Sequence, residues 1–554
     1  MPRRPTTVLA VIAPLVLLAV ALPFGLSALE GPEPTPPAEV GLAPLLAETT
    51  AVPAPEVSVL YRDAALAPEA AGPLEAAGYV ITDTALTRVT DIPPDPADTD
   101  VLAVQLDRYA LVVHPRAPLY DLDLDQLVAI QAQEDGAGLG GPLVIPRDAS
   151  AWLAGPEATA GRLVEVDSPD EVMDIVASDP TAIGLVPVDA LAPRVRALTS
   201  PGFDPYQDGP GALGRMRWIV GPDREEVARA LGWPTEPRED PVRLLATGEL
   251  IPARCVSDRV ATLEGGYDTS YDATRGLIES ADVAMAHWEP AVIDGVPTPC
   301  TPTFNLSTRP EAAEAAARAG IDVALVVGNH VGDCWPGCGY QAAVLETVAH
   351  LEAAGLTITG AGADLEAARA PAIVERDGVT FAFLGYDDIA FQHYGATEDT
   401  PGTAHADPEG VATDVRAAKA LADHVIVGFS WGVEYTARPT DRQRGLARAA
   451  IEAGASLVVG NHPHWVQATE WIGDGFVAYG LGNFVFDQDW SVETTQGAIL
   501  EAGFTRDRLL GVRLRPTAIR HQHLVELLDP TTGEGATILH QIWTATDALQ
   551  PRDQ

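Results

Sequence analysis

Lysine is almost absent from this 554-residue chain: Lys419 is the only one, and arginine supplies the remaining cations. Against 35 basic residues stand 78 acidic ones, for a formal charge of −43. That balance excludes a sequence-independent grip on nucleic acid, which needs cationic side chains facing phosphates. Sulfur is also scarce. The four cysteines, Cys255, Cys300, Cys334 and Cys338, all lie far from the N-terminus, so no thiol is available there for lipid attachment. Their spacing, one C-x3-C pair and two distant singles, matches no common zinc finger. With 47% hydrophobic and 20% charged residues, disorder throughout the chain is excluded, and the length allows two or three domains with real cores.

The N-terminus carries Arg3 and Arg4 before an uncharged run from Val8 to Leu29, VLAVIAPLVLLAVALPFGLSAL. This fits a membrane anchor or an export signal, and both place the rest of the chain outside the cytoplasm. We therefore expect residues 1–29 to be an anchor or signal segment and 30–56 a Pro/Ala-rich linker. In an oxidising compartment an even number of cysteines points to disulfides, for which four cysteines allow three pairings.

Residues 57–240 read as a smaller α/β domain. VLAVQLDRYALVVHPRAPLYDLDLDQLVAI has the pattern of strand, turn and helix, and EVMDIVASDPTAIGLVPVDAL that of helix, turn and strand. Both phrases loosely resemble pieces of a phosphate-type periplasmic binding protein. No glycine-rich anion loop accompanies them, and no site is assigned here.

From Pro241 onward, apolar runs end repeatedly on polar residues. PVRLLATGEL brings Glu249 to a strand tip, SADVAMAHWEP Glu289, GIDVALVVGNH Asn329 and His330, DHVIVGFSWGVEY Ser430 and Glu434, and ASLVVGNHPHW His462 and His464. Helical patterns separate them, several closed by glycine. The alternation implies parallel strands whose carboxyl ends share an edge, where α/β sheets place ligands. In the HPH segment an extended backbone would send both imidazoles to one side. Carboxylate, amide and imidazole donors together suit a divalent metal, with Mn, Fe or Zn expected.

The ordered set TGELIPAR, HWEPAV, GNHVGD, SWGVEY, GNHPHWVQ and YGLGNFVFD resembles the CapA-type capsule (poly-gamma-glutamate) synthesis proteins, whose fold is that of the calcineurin-like metallophosphoesterases. The likeness covers roughly residues 241–525, leaving 526–554 as a C-terminal tail. It implies a sandwich of two mixed β-sheets flanked by helices, with Glu249, Glu289, Asn329, His462 and His464 as ligands of one or two metal ions. It also implies His330 as the proton-donating catalytic group. The family writes Asp where this chain has Glu249, and histidine where it has Ser430. The serine hydroxyl is a poor divalent ligand, so the metal position using Asn329 and His462 is expected to be weak, and the one using Glu249, Glu289 and His464 to survive.

The resulting expectation is a cell-envelope protein acting as a metal-dependent hydrolase or transferase on an envelope polymer or other anionic substrate. The alternative is a non-catalytic polymer-binding protein with a degraded metal site. Arg254, Arg442 and Arg444 stand near the motifs, as do Trp431, Tyr435 and Trp465; surface positions and packing, respectively, are the expectation for them.

Overall fold

The computed structural model describes residues 56–549, apart from 61–65, 78, 83–84, 86, 91–97, 99, 106–107, 123–125, 128–140, 150–162, 208–215, 234–239, 335–336 and 390. The anchor segment and nearly all of the linker lie outside the described residues. Among the described residues, no helix is long and apolar enough to cross a membrane.

The chain divides into two compact units, and the division does not follow sequence order. Of the described residues, one unit joins those of 56–105 with 216–233, and the other joins those of 108–207 with 240–549. The first holds a five-stranded sheet in which Met216–Val220 returns between Thr87–Thr90 and Val101–Gln105. Another five-stranded sheet, built on Leu143–Pro146, Ile183–Pro187 and Tyr109–Val113, lies in the second unit. The span 57–240 thus contains two sheets. VLAVQLDRYALVV, which reads as one strand, is broken into Val101–Gln105 and Tyr109–Val113, one in each sheet. The helix-turn-strand phrase appears as read, with helix Pro169–Ser178 capped by Ser168 and followed by Ile183–Pro187.

The remainder of the second unit is a sandwich of two mixed sheets. We number its strands β1 (Val242–Leu250), β2 (Val283–Trp288), β3 (Val323–Val326), β4 (Thr357–Thr359), β5 (Ala372–Arg376), β6 (Val379–Asp387), β7 (His424–Ser430), β8 (Leu457–Asn461), β9 (Thr469–Ile472), β10 (Gly475–Ala478), β11 (Asn483–Val485), β12 (Gln496–Phe504), β13 (Leu509–Arg520) and β14 (Leu524–Leu527). The larger sheet has the order β4-β3-β2-β1-β12-β13-β14, with β11 also pairing with β1; the smaller has β5-β6-β7-β8-β10-β9. Strands β1 to β4 are mutually parallel, as are β6, β7, β8 and β10.

Period-two alternation explains the layering. On β2, Val283 and Met285 enter the core between the sheets, together with Phe381, Phe383, Ile426 and Val459 of the facing sheet. Ala284, Ala286 and Trp288 point the other way, onto helices Pro310–Arg318 and Tyr340–Ala353. Val425, Val427 and Phe429 of β7 likewise meet helices Pro408–Lys419 and Asp441–Ala453. The latter helix starts in a capping box of Thr440 and Gln443 and stops at Gly454, whose φ of 116° favours glycine.

The segment after residue 525 does not trail from the domain. β14 extends the larger sheet, and helix Gly533–Asp547 buries Ile538, Leu539 and Ile542 in the inter-sheet core. Both Cys255–Cys300 and Cys334–Cys338 are disulfide-bonded.

Candidate functional site

Every motif residue singled out in the second region sits at or just beyond the carboxyl end of a parallel strand. Glu249 lies near the end of β1, Glu289 directly follows β2, Asn329 and His330 follow β3, Ser430 ends β7, and His462 and His464 follow β8. Glycines allow the strands to close in. A Cβ at Gly248 would lie 2.2 Å from the Gly482 carbonyl oxygen, so only glycine lets β1 approach that loop. At Gly328, where φ is 124°, the same construction falls 3.3 Å from both Glu289 Oε1 and Ser430 Oγ, which brings the tips of the two sheets together.

Glu249 is the hub. Its Oε1 accepts the His462 backbone N–H, and its Oε2 lies 2.7 Å from His464 Nδ1. That ring N–H points instead to Asn483 Oδ1 at 3.0 Å, leaving Oε2 with charge attraction but no hydrogen bond. Burial opposes ionisation of Glu249, yet His464 beside it holds its pKa down, at about 2. Burial would also lower the His464 pKa, but Glu249 and the bond to Asn483 raise it. Glu289, wholly buried, is pushed the other way, upward, by burial and by the Glu249 charge.

The HPH segment is not extended. His462 and His464 adopt φ of 92° and 59°, and their rings stand 5.9 Å apart and 44° inclined. Tyr435 is also left-handed, at 60°, and its N–H donates to the Pro463 carbonyl at 2.8 Å. Such conformations are costly for non-glycine residues. Here the contacts of the loop to Glu249 and Tyr435 hold them, which the two-residue spacing could not convey.

His330 belongs to a chain of polar contacts. Its Nδ1 lies 2.6 Å from Asp333 Oδ2, and its Nε2 lies 2.8 Å from Asn329 Nδ2. Asp333 therefore fixes the tautomer, with the proton on Nδ1, and Asn329 is left with Oδ1 unpaired. The His330 side chain is 17% exposed, whereas Glu249 and Glu289 are inaccessible.

Several buried polar atoms here lack hydrogen-bond partners: Glu289 Oε1 and Oε2, Asn329 Oδ1, Ser430 Oγ, His462 Nδ1 and both ring nitrogens of His287. Buried polar groups are ordinarily satisfied, and so many orphaned polar atoms at neighbouring strand ends have the donor chemistry of a mixed nitrogen and oxygen site for a divalent cation. The residues present fit such an ion. Burial also holds His462 neutral, with its pKa pushed down to about 3, the form that can act as a ligand.

Three contributors escaped the motif reading. His287 hides inside the apolar run of β2, Asp333 stands three residues beyond His330, and Asp387 ends β6 as the register partner of Ser430. Asp387 carried the same signal as the other tips, an apolar run ending on an acid. Its carboxylate is satisfied by Thr403 Oγ1 at 3.0 Å and the Ile389 N–H at 2.8 Å. Arg254 pairs with Asp487, Arg442 with Asp388 and Arg444 with Glu470. Trp431 is core, stacked 4.4 Å from Phe429; Tyr435 lies over His464 at 5.8 Å, edge-on to the exposed Trp490. Away from this site, Asp294, Glu346 and His350 bring ligand atoms within 4.8 Å of one another, but they are already engaged mutually.

Two mixed sheets with these donors at the ends of their parallel strands define a metallophosphoesterase-like domain. Residues 243–488 match the family described as bacterial capsule synthesis protein PGA_cap. The chain is 32% identical over 256 residues to the PGA biosynthesis protein CapA of Bacillus subtilis, covering 46% of this chain and 65% of that protein. With the capsule biosynthesis protein CapA of Bacillus anthracis it shares 33% identity over 203 residues, 36% of this chain and 48% of the relative. The chain thus spans between about half and two thirds of the length of these relatives. A solved NAD nucleotidase of Haemophilus influenzae aligns at 10% identity with a TM-score of 0.31, over 55% of this chain and 62% of its own.

Proposed function

We propose that this chain works in the cell envelope as a capsule-polymer protein with a metal-dependent hydrolase or transferase centre, acting on an amide or phosphoester bond of a polymer such as poly-gamma-glutamate. The observation that carries this reading is the convergence of unpaired buried donors beside a partly exposed, aspartate-backed histidine. Glu249, Glu289, Asn329, His462 and His464 would hold a divalent ion. When bound, the ion supplies charge stabilisation at the reacting oxygen. His330 would take up and release a proton at Nε2, the nitrogen turned away from Asp333; in the resting site the Nε2 lone pair accepts from the Asn329 amide. Asp333 keeps the ring oriented, and Asn329 links the ring to the ligand cluster. Exposed Trp490 and Val433, with Tyr435, offer an uncharged approach to a polyanion that the acidic surface would otherwise repel.

Two observations favour a second reading, a polymer-binding protein without catalysis: Ser430 brings only a hydroxyl, and Glu249 and His464 already engage each other. The full chain, purified with Mn2+, is assayed for metal per chain and for shortening of poly-gamma-glutamate and hydrolysis of p-nitrophenyl phosphate. The first reading expects bound metal and turnover, with His330→Asn losing on the order of 10²–10⁴-fold in rate at unchanged metal content. Polymer retention with no turnover in wild type would favour the second reading and overturn the first.

A further inference from the structure

A cavity of about 410 Å3 within the second unit shares no residue with the strand-tip site. Its wall is mainly apolar and aromatic, and Trp471 of β9 and Trp543 of helix Gly533–Asp547 stand in it half-buried. Trp471 meets Phe476 at 4.8 Å, and the Arg116 guanidinium lies 5.6 Å from the Trp543 ring. Both indoles thus keep apolar surface that the core does not cover. Arg196 belongs to the same wall and is the anomaly in it. It is 2% exposed; its Nε and Nη2 donate to the carbonyls of Pro115, Ala117 and Leu119, while Nη1 has no partner. Among the described residues no carboxylate pairs with it. The charged groups that act on it are Arg513 and Arg515, which repel it, and the Tyr120 ring lies 4.0 Å from its guanidinium. Burial pulls its pKa down to about 10.

A buried cation without a counterion is costly, and the neighbouring buried arginines do not bear that cost: Arg243 and Arg513 both pair with Asp204 and Glu501. The other charges of the cavity wall are already matched. Arg116 is held by Asp547, and Glu470 by Arg444 and the Tyr479 hydroxyl. His114 Nδ1 accepts the Arg116 backbone N–H at 3.1 Å, which puts the ring proton on Nε2 as a further donor. The wall is therefore short of one negative charge. We propose that this cavity binds a small organic monocarboxylate with a flat apolar body, its charge set beside Arg196 and His114 and its body against Trp471 and Trp543. A monoanion matches the single uncompensated cation, and a flat body matches the two indoles. A cavity of this size, mainly apolar with a few polar groups, is the usual form of a small-molecule site. The assignment is independent of the metal-binding reading above.

The test uses the full chain and three probes: 2-naphthoate, its neutral counterpart 2-naphthamide, and phenyl phosphate. Isothermal titration of wild type, Arg196→Met, Trp471→Leu and Trp543→Leu reads the affinities, with circular dichroism to confirm folding. Wild type should bind 2-naphthoate at least about tenfold more tightly than either other probe. Arg196→Met should erase the preference for the anion over the amide, and each tryptophan variant should weaken 2-naphthoate by about fivefold or more. Absence of saturable 2-naphthoate binding by wild type overturns the proposal, as does equal affinity for acid and amide. Phenyl phosphate bound as tightly as the carboxylate overturns the monocarboxylate assignment, and a folded Arg196→Met that keeps the preference overturns the role of Arg196. If that variant does not fold, the wild-type preference and the two tryptophan variants decide: 2-naphthoate affinity unchanged in both places the ligand outside this cavity.

Discussion

Glu249 Oε2 and His464 Nδ1 face each other at 2.7 Å across the junction of the two sheets, the carboxylate fully buried and the imidazole 7% exposed. Replacing one member of such a pair leaves the other uncompensated. A metal-linked measurement therefore tests the site better than stability alone. Glu289 is the cleaner probe, because both its oxygens are unpaired and it has no cationic partner to strand. Glu289→Gln should lower Mn2+ affinity by more than about tenfold, while the same change at exposed Glu264, outside every motif, leaves it unaltered. Elemental analysis of both variants after dialysis decides this, and equal metal contents would remove Glu289 from the ligand set.

The HPH segment gives an ordered series. If both imidazoles are ligands, His464→Ala should strip the better-furnished position, which shares Glu249 and Glu289. His462→Ala should do less, because its position faces Ser430 rather than an imidazole. Ser430→His should then raise metal content toward two ions per chain, if the new ring fits beside Gly328, where the serine hydroxyl already lies close. Metal per chain, with circular dichroism to confirm folding, reads the order. Two alanine variants that only destabilise, with unchanged metal, would make the segment a structural loop.

The strand tips were legible because one physical rule writes them. A strand buried on both faces is an apolar run, and the polar residues that close it mark the ligand edge. Glu249, Glu289, Asn329 and His462 follow that rule. His287 breaks it, being a polar residue within the run, and pattern reading takes it for core. The left-handed backbone at His462 and His464 was equally hidden, since it depends on Glu249 and Tyr435, more than 200 and about 30 residues away. Discontinuity defeated the rest: a chain that leaves one sheet after Gln105 and returns at Met216 has no local signature. Helix Gly533–Asp547 looks like a tail only until the core it covers is known.

The two disulfides should differ in what they contribute. Cys255–Cys300 spans 45 residues, whereas Cys334–Cys338 spans 4. Chain-entropy reasoning assigns the longer closure about 4 kcal/mol and the shorter about 2 kcal/mol. Cys255→Ser/Cys300→Ser should therefore lower the denaturation midpoint more than Cys334→Ser/Cys338→Ser. The short bridge should show itself elsewhere: the Cys334 carbonyl accepts from Asn305 Nδ2 at 2.9 Å, and Asp333 beside it orients His330. Denaturant titrations of both double variants measure this, and an equal loss of stability would contradict it.

The last prediction concerns acid. His424 at the start of β7 is 2% exposed, with Nε2 2.7 Å from the Thr505 carbonyl and Nδ1 2.8 Å from Ser456 Oγ. The Nε2–H donates to the carbonyl, so Nδ1 carries the lone pair and accepts from the serine; both bonds are made by the neutral ring. Burial, aided by Lys419 and opposed by Thr505, Asp423 and Asp507, pushes its pKa down to about 4. The unfolded chain, with an ordinary imidazole near 6.5, binds the proton first as pH falls. Stability is therefore full above about 6.5 and is lost progressively down to about 4, by on the order of 3 kcal/mol for this residue. His462 and His287, depressed to about 3 and about 4, act in the same direction, so the contribution of His424 must be read as a difference. Denaturant midpoints of wild type and His424→Gln, measured without metal from pH 7 to pH 4.5, should converge as the pH falls. Parallel curves would show that His424 is not held neutral by the fold.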